Sequence, residues 1–174
     1  MEPQTSWTLC EVHGEIFIKS DFLIMSAQGG NIVDQYSLTR ELIAAIHAGA
    51  IDRVREILDL GVAVNCRDIF QWTPLIIASN YDRSKVVALL LDRGADVDAV
   101  STSGSSALLQ ASSHGHLDVV HILVARGANI HLRNRGGSSS LVVAAMHERL
   151  PVCEYLLSVG ADLAAISHDN PSRR

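Results

Sequence analysis

Histidines at 114, 116, 121 and 131, followed by His147, are the densest group of side chains able to hold a metal. Zinc needs three or four such ligands converging on one point. His114 and His147 stand 33 residues apart, at equivalent places in neighbouring units of a repeat. Ordinary helix spacing then separates them by about 10 Å. No cysteine or carboxylate cluster completes a tetrahedron, so neither a metal site nor a cofactor is expected. Catalytic signatures are missing as well. There is no Gly-rich phosphate loop ending in Lys-Ser/Thr, no Gly-x-Ser-x-Gly and no His-Glu-x-x-His. The runs Ser103-Gly104-Ser105-Ser106 and Gly136-Gly137-Ser138-Ser139 recur at one place in the period, which assigns them to turns. Of the three cysteines, Cys153 falls on an apolar helical stripe and reads as inert core, whereas Cys66 follows Asn65 near a turn and reads as partly exposed. The chain is therefore not expected to be an enzyme.

Four glycines, Gly61, Gly94, Gly127 and Gly160, set the elements that carry these residues. Each follows the last by 33 positions and closes the same phrase, as in Leu90-Leu91-Asp92-Arg93-Gly94-Ala95. An apolar pair, two spacers and Gly is the signature of a helix ending on a left-handed residue. A fixed period of this length means stacked units. Composition agrees. Apolar residues make up 48% and aromatics only 5% of 174 residues, so a core of Leu, Ile, Val and Ala is expected. That suits close helix stacking. The net charge of −5 offers no long-range attraction to nucleic acid or an anionic membrane. Cys10, Cys66 and Cys153 are odd in number and far apart, which argues for a reducing compartment. No export signal is read at the start, and the most apolar stretch, 16–25, is cut by Lys19 and Asp21. Cytoplasm or nucleus is the expected location.

Residues 1–34 fall outside the period. Residues 11–18 read as a small hairpin turning near His13-Gly14, and Asp21 as the cap of a short helix. The segment is either a degenerate cap over the apolar end of the stack or a docking element. The repeats then run 35–67, 68–100, 101–133 and 134–166, with the start of an incomplete fifth repeat or a tail at 168–174. In repeat one, Leu42 to Ala48 form the first helix and Asp52 to Leu60 the second; Arg53, Arg55 and Glu56 read as solvated. In repeat two, Thr73 caps the first helix and Pro74 occupies its first position, where a missing N–H costs nothing. Ser106 keeps the capping role in repeat three, and Ser139-Ser140-Leu141 opens repeat four.

Thr73-Pro74-Leu75, Gly115-His116-Leu117, the paired valines and Gly127-Ala128-Asn129 together resemble the ankyrin repeat, whose length is 33. The resemblance spans Gln35 to Ile166. It implies an all-α solenoid of stacked antiparallel helix pairs with protruding turns. Three departures stand out. The histidine after Thr-Pro-Leu is replaced by Ile43, Ile76, Leu109 and Val142. Arg40-Glu41 takes the place of Thr-Pro in repeat one, and Glu148-Arg149 the place of Gly-His in repeat four. The late asparagine position, hydroxylated in some members, is kept only at Asn65.

The resemblance further implies a concave surface of turn tips and first-helix faces that binds a protein or peptide partner. Its register assigns to that surface Ile69, Phe70, Trp72, Asn80 and Tyr81 in repeat two, His114 in repeat three, and Arg135 and His147 in repeat four. Repeat two thus gathers aromatic and apolar groups in a chain poor in them, the kind of residue that dominates interface energetics. Two readings are open: Phe70 and Trp72 anchor a partner, or they pack on neighbouring turns or the N-terminal segment. Arg67, Arg133 and Arg135 flank the tips and suit a peptide with apolar anchors and some acidic character. The expected function is a non-catalytic interaction module, adaptor or scaffold, with no nucleic acid, membrane or small-molecule substrate. The alternative is a structural fragment of a longer array.

Overall fold

The computed structural model describes residues 8–12, 15–19 and 35–162. Strand β1 (Thr8–Val12) pairs antiparallel with β2 (Glu15–Lys19), with Val12 opposite Glu15. Two residues separate them, at the place where the sequence suggests a hairpin turn. The short helix and cap read into 20–34, and the segment 168–174, lie outside the described residues.

Among the described residues eight helices follow: α1 (Gln35–Ala48), α2 (Ile51–Asp59), α3 (Pro74–Asn80), α4 (Ser84–Asp92), α5 (Ala107–His114), α6 (Leu117–Ala125), α7 (Ser140–Met146) and α8 (Leu150–Ser158). They pack as four antiparallel pairs. The first helices α1, α3, α5 and α7 form one row and the second helices another, with the first row the more closely stacked. The stack therefore bends around its first-helix side. Between the rows runs one core, including Leu42, Ile57, Leu75, Leu90, Leu108, Leu123, Leu141 and Leu156. Ala78, Ala111 and Ala144 are fully buried at equivalent places in the first helices. Their small side chains let neighbouring first helices approach.

Helix ends are set by local chemistry. Thr73, Ser106 and Ser139 each accept, through the side-chain oxygen, from the N–H three residues on: Ile76 at 3.3 Å, Leu109 at 3.3 Å and Val142 at 3.5 Å. At the other end Gly94 has φ +83; its N–H donates to Leu91 O and that of Ala95 to Leu90 O. This is the Schellman closure. Gly61, Gly127 and Gly160 share the left-handed backbone.

Repeat one departs from its expected form. Its first helix begins at Gln35, not Leu42, and runs through the segment where later repeats carry a turn. The tip glycines Gly104 and Gly137 correspond to Leu38, which is buried. With no glycine, proline or capping hydroxyl at 40, nothing stops the helix from extending backwards. Arg53 is not simply solvated either: it pairs with both Glu41 and Glu56.

Candidate partner-binding surface

Each turn tip is tied by its own first residue. Asp68 Oδ1 accepts from the N–H of Phe70 and of Trp72, both at 2.8 Å. Ser101 Oγ accepts from Ser105 N, and Asn134 Oδ1 from Ser138 N. These bonds hold the turns where an imidazole would otherwise serve; Ile76 and Leu109 at that position are buried apolar groups. Successive tips are also joined to one another. Thr102 donates to Phe70 O through both its N–H and its hydroxyl, each at 3.1 Å, and Arg135 N donates to Ser103 O at 3.0 Å.

A second set of bonds ties the far ends of the first helices. Arg83 donates to His47 O, His116 Nε2 to Asn80 O and Arg149 to Ser113 O, at 2.6, 3.1 and 3.2 Å. The three donors are 33 apart, and so are the three carbonyls. Glu148-Arg149 therefore does the work of Gly-His after all: Glu148 adopts φ +57 and Arg149 makes the bond. Where the left-handed residue is Gly49 or Gly115, an arginine side chain lies over it, Arg83 and Arg149 respectively. Where it is Asp82, with φ +55, the residue across is His116, whose Nδ1 lies 3.9 Å from the carboxylate.

The proposed site residues divide. Ile69 is 87% exposed and Phe70 60%, side by side at the tip of repeat two. Tyr81 is 46% exposed, its ring 4.4 Å from that of His47. His114, Arg135 and His147 are exposed too. Trp72 is not: it is half-buried and packs against the hydrophobic core. Asn80 is also half-buried, and its carbonyl is taken by His116. Arg67 is no free flank of the surface, since its Nη1 donates to Gln71 O and Val100 O. Arg133 likewise donates to Gly137 O at 3.1 Å. Both hold their own turn.

The remaining candidate groups have structural partners. His114 Nδ1 donates to Gln110 O at 3.0 Å, satisfying a carbonyl in the last turn of α5, and its ring stacks on His116 at 5.5 Å. His121 meets Tyr155 edge-on across α6 and α8. Among the described residues no group of three or more His, Cys, Asp or Glu could hold a metal ion. Asn65 accepts from Asp96 N at 2.9 Å and donates to Gly94 O, bridging two repeats. Cys153 is half-buried beside the core rather than inside it, and Cys66 is half-buried as expected. Burial pushes both thiols up, away from the reactive thiolate.

Sequence reading missed two features. Gln71 has φ +61, at the place of Gly104 and Gly137. Only the 33-residue alignment would have exposed it. The cross-repeat donors at 83, 116 and 149 escaped because a carbonyl acceptor has no sequence identity.

The fold and this layout define a helical repeat solenoid. The family described as "Ankyrin repeats (3 copies)" matches residues 21–101, 42–134 and 97–167, and the chain belongs to the ankyrin repeat family. Ankyrin repeats generally mediate protein–protein interaction and are typically non-catalytic. The chain is 42% identical over 52 residues to an ankyrin repeat, SAM and basic leucine zipper domain-containing protein 1 of Atelerix albiventris, covering 30% of this chain and 11% of that protein. The human protein of the same name is 38% identical over 52 residues, with the same shares. A glycerophosphocholine phosphodiesterase, gde1 of Schizosaccharomyces pombe, is 38% identical over 83 residues, 47% of this chain and 7% of that protein. The chain thus spans about a tenth or less of the length of these curated relatives. No helix among the described residues is long and apolar enough to cross a membrane.

Proposed function

We propose that this chain is a non-catalytic adaptor or scaffold of the cytoplasm or nucleus that binds a protein or peptide partner on its first-helix side. The four units keep the boundaries 35–67, 68–100, 101–133 and 134–166. The observation that carries the reading is the pair Ile69 and Phe70, exposed together on a backbone fastened at four points. Asp68 holds Phe70 N and Trp72 N, and Thr102 twice holds Phe70 O. Exposed apolar groups gathered in one place mark interaction sites. A surface ordered before binding loses less entropy when it binds. Tyr81, His114, Arg135 and His147 extend the contact. Trp72 is a poor probe, because it packs against the core and its truncation also disturbs that packing. The test is affinity capture with wild type against Ile69→Ser/Phe70→Ser. Partners retained in full by the variant would sink the assignment.

A second reading, a structural part of a longer array, is favoured by repeat four. Leu157 is 43% exposed, whereas Leu58, its counterpart in repeat one, is 8% exposed under the next pair of helices. Leu150 is exposed on the same helix α8. Concentration-dependent self-association in sedimentation, removed by Leu150→Ser/Leu157→Ser, would favour this reading.

A further inference from the structure

Resting on the partner-binding reading above, we propose that the tips take one kind of partner: an extended acidic peptide segment whose apolar anchor meets Ile69 and Phe70 and whose carboxylates meet Arg135. Charge is the first argument. The chain carries −5 overall, yet the turn segments 66–73, 99–106 and 132–139 contain a single carboxylate, Asp68. Its Oδ1 is already held by two backbone N–H groups of its own turn. Asp52, Glu56, Asp59, Asp92, Asp118 and Glu154 are on second helices, and Asp96 and Asp98, in the loop before the tip of repeat three, each hold a backbone N–H, that of Asp98 and of Asn129. A segregated surface of this kind attracts one sign of partner.

The second argument separates the arginines of that surface. Arg67 and Arg133 donate to turn carbonyls and serve the fold. Arg135 is exposed at its tip, and among the described residues only its backbone N–H is bound, to Ser103 O. Among the described tip residues it is the cation placed to meet a carboxylate. The row Tyr81, His114 and His147 at the other ends of the first helices is less suited, because Asp82 and Glu148 adjoin it in sequence.

The third argument is order along the stack. Tip by tip the exposed pairs change from Ile69-Phe70 to Thr102-Ser103 to Arg135-Gly136, apolar to hydroxyl to cationic. Two repeats separate the ends, about 20 Å at the usual spacing of packed helices. An extended peptide covers that in about six residues. The hydroxyl oxygens of Thr102 and Ser103, whose hydrogens go to Phe70 O and Ser105 Oγ, lie beneath its middle, where they can accept from peptide N–H groups. Because the tips differ, the segment has one direction.

Phage-displayed random 12-residue peptides, selected on the full chain, test this. Wild type should enrich a large apolar residue and an Asp or Glu about six positions apart, always in the same order. Arg135→Glu should bind those peptides at least tenfold more weakly and, in its own selection, replace the acid by Lys or Arg. Ile69→Ser/Phe70→Ser should lose them. Circular dichroism checks that both variants, which change exposed residues only, stay folded. Peptides that depend on Ile69 and Phe70 but show no acidic preference, and bind Arg135→Glu equally, would overturn this proposal and leave partner binding standing. Peptides indifferent to both variants, or no enrichment at all, would overturn both.

Discussion

Repeats two and three have the same length, a hydroxyl cap each and the same left-handed closing glycine, yet they differ at the other two places where the backbone turns left-handed. Repeat three uses Gly104 and Gly115; repeat two uses Gln71 and Asp82. A side chain in that conformation costs about 1 kcal/mol or somewhat more. Repeat two also exposes Ile69 and Phe70 where repeat three exposes Thr102 and Ser103. The strained backbone and the exposed apolar groups coincide. Local rules tend to be broken where a surface is kept for something other than stability. Repeat four, with Glu148 in the left-handed position but Gly137 at its tip, stands between the two.

The sharpest way to break the comparison is to give repeat three the side chains repeat two tolerates. Gly104→Ala should cost about 2–4 kcal/mol in urea unfolding. Its Cβ would stand 2.9 Å from the backbone N of Arg135, which cannot move without parting two tips. Gln71→Ala should change stability little by the same measurement, since Gln71 already carries the strain. Next comes Gly115→Asp, where the new Cβ would meet Arg149 Cδ at 2.8 Å, the middle of a flexible side chain. A loss of about 1–2 kcal/mol is expected, part of it strain and part the loosened bond to Ser113 O. Smaller and opposite in sign, Gln71→Gly should raise the melting temperature, with a gain of about 1 kcal/mol. A fall would show that Gln71 makes a compensating contact. Smallest is Arg126→Ala, which removes the exposed ion pair with Asp92 at 2.8 Å. It should cost about 0.5 kcal/mol or less, fading further in high salt.

What could be read beforehand follows from how local each cause is. Thr73 and Ser106 act three residues away, and Gly94 acts on its own turn, so caps and closures were legible. So was the period, and with it the exposure of Ile69, Phe70 and Tyr81. Trp72 was not, because its burial depends on what the neighbouring units bring against it. The fate of Arg67 and Arg133 was equally hidden: whether an arginine meets water or a carbonyl is decided by backbone geometry. The early start of α1 had a sequence trace in Leu38 and Arg40, visible only once the tip glycines of later repeats mark what is missing there.

The bonds that fasten one repeat to the next have a consequence for how the chain reaches this state. The hydrogen bonds described above between neighbouring repeats join positions no more than 36 apart, from Arg67 with Gln71 to Arg83 with His47. No contact of this kind asks a large loop to close first. Chains built from such short-range pairings fold quickly, and in a linear stack a folded unit can template its neighbour. Each repeat can then be secured as soon as the next thirty-odd residues have been synthesised.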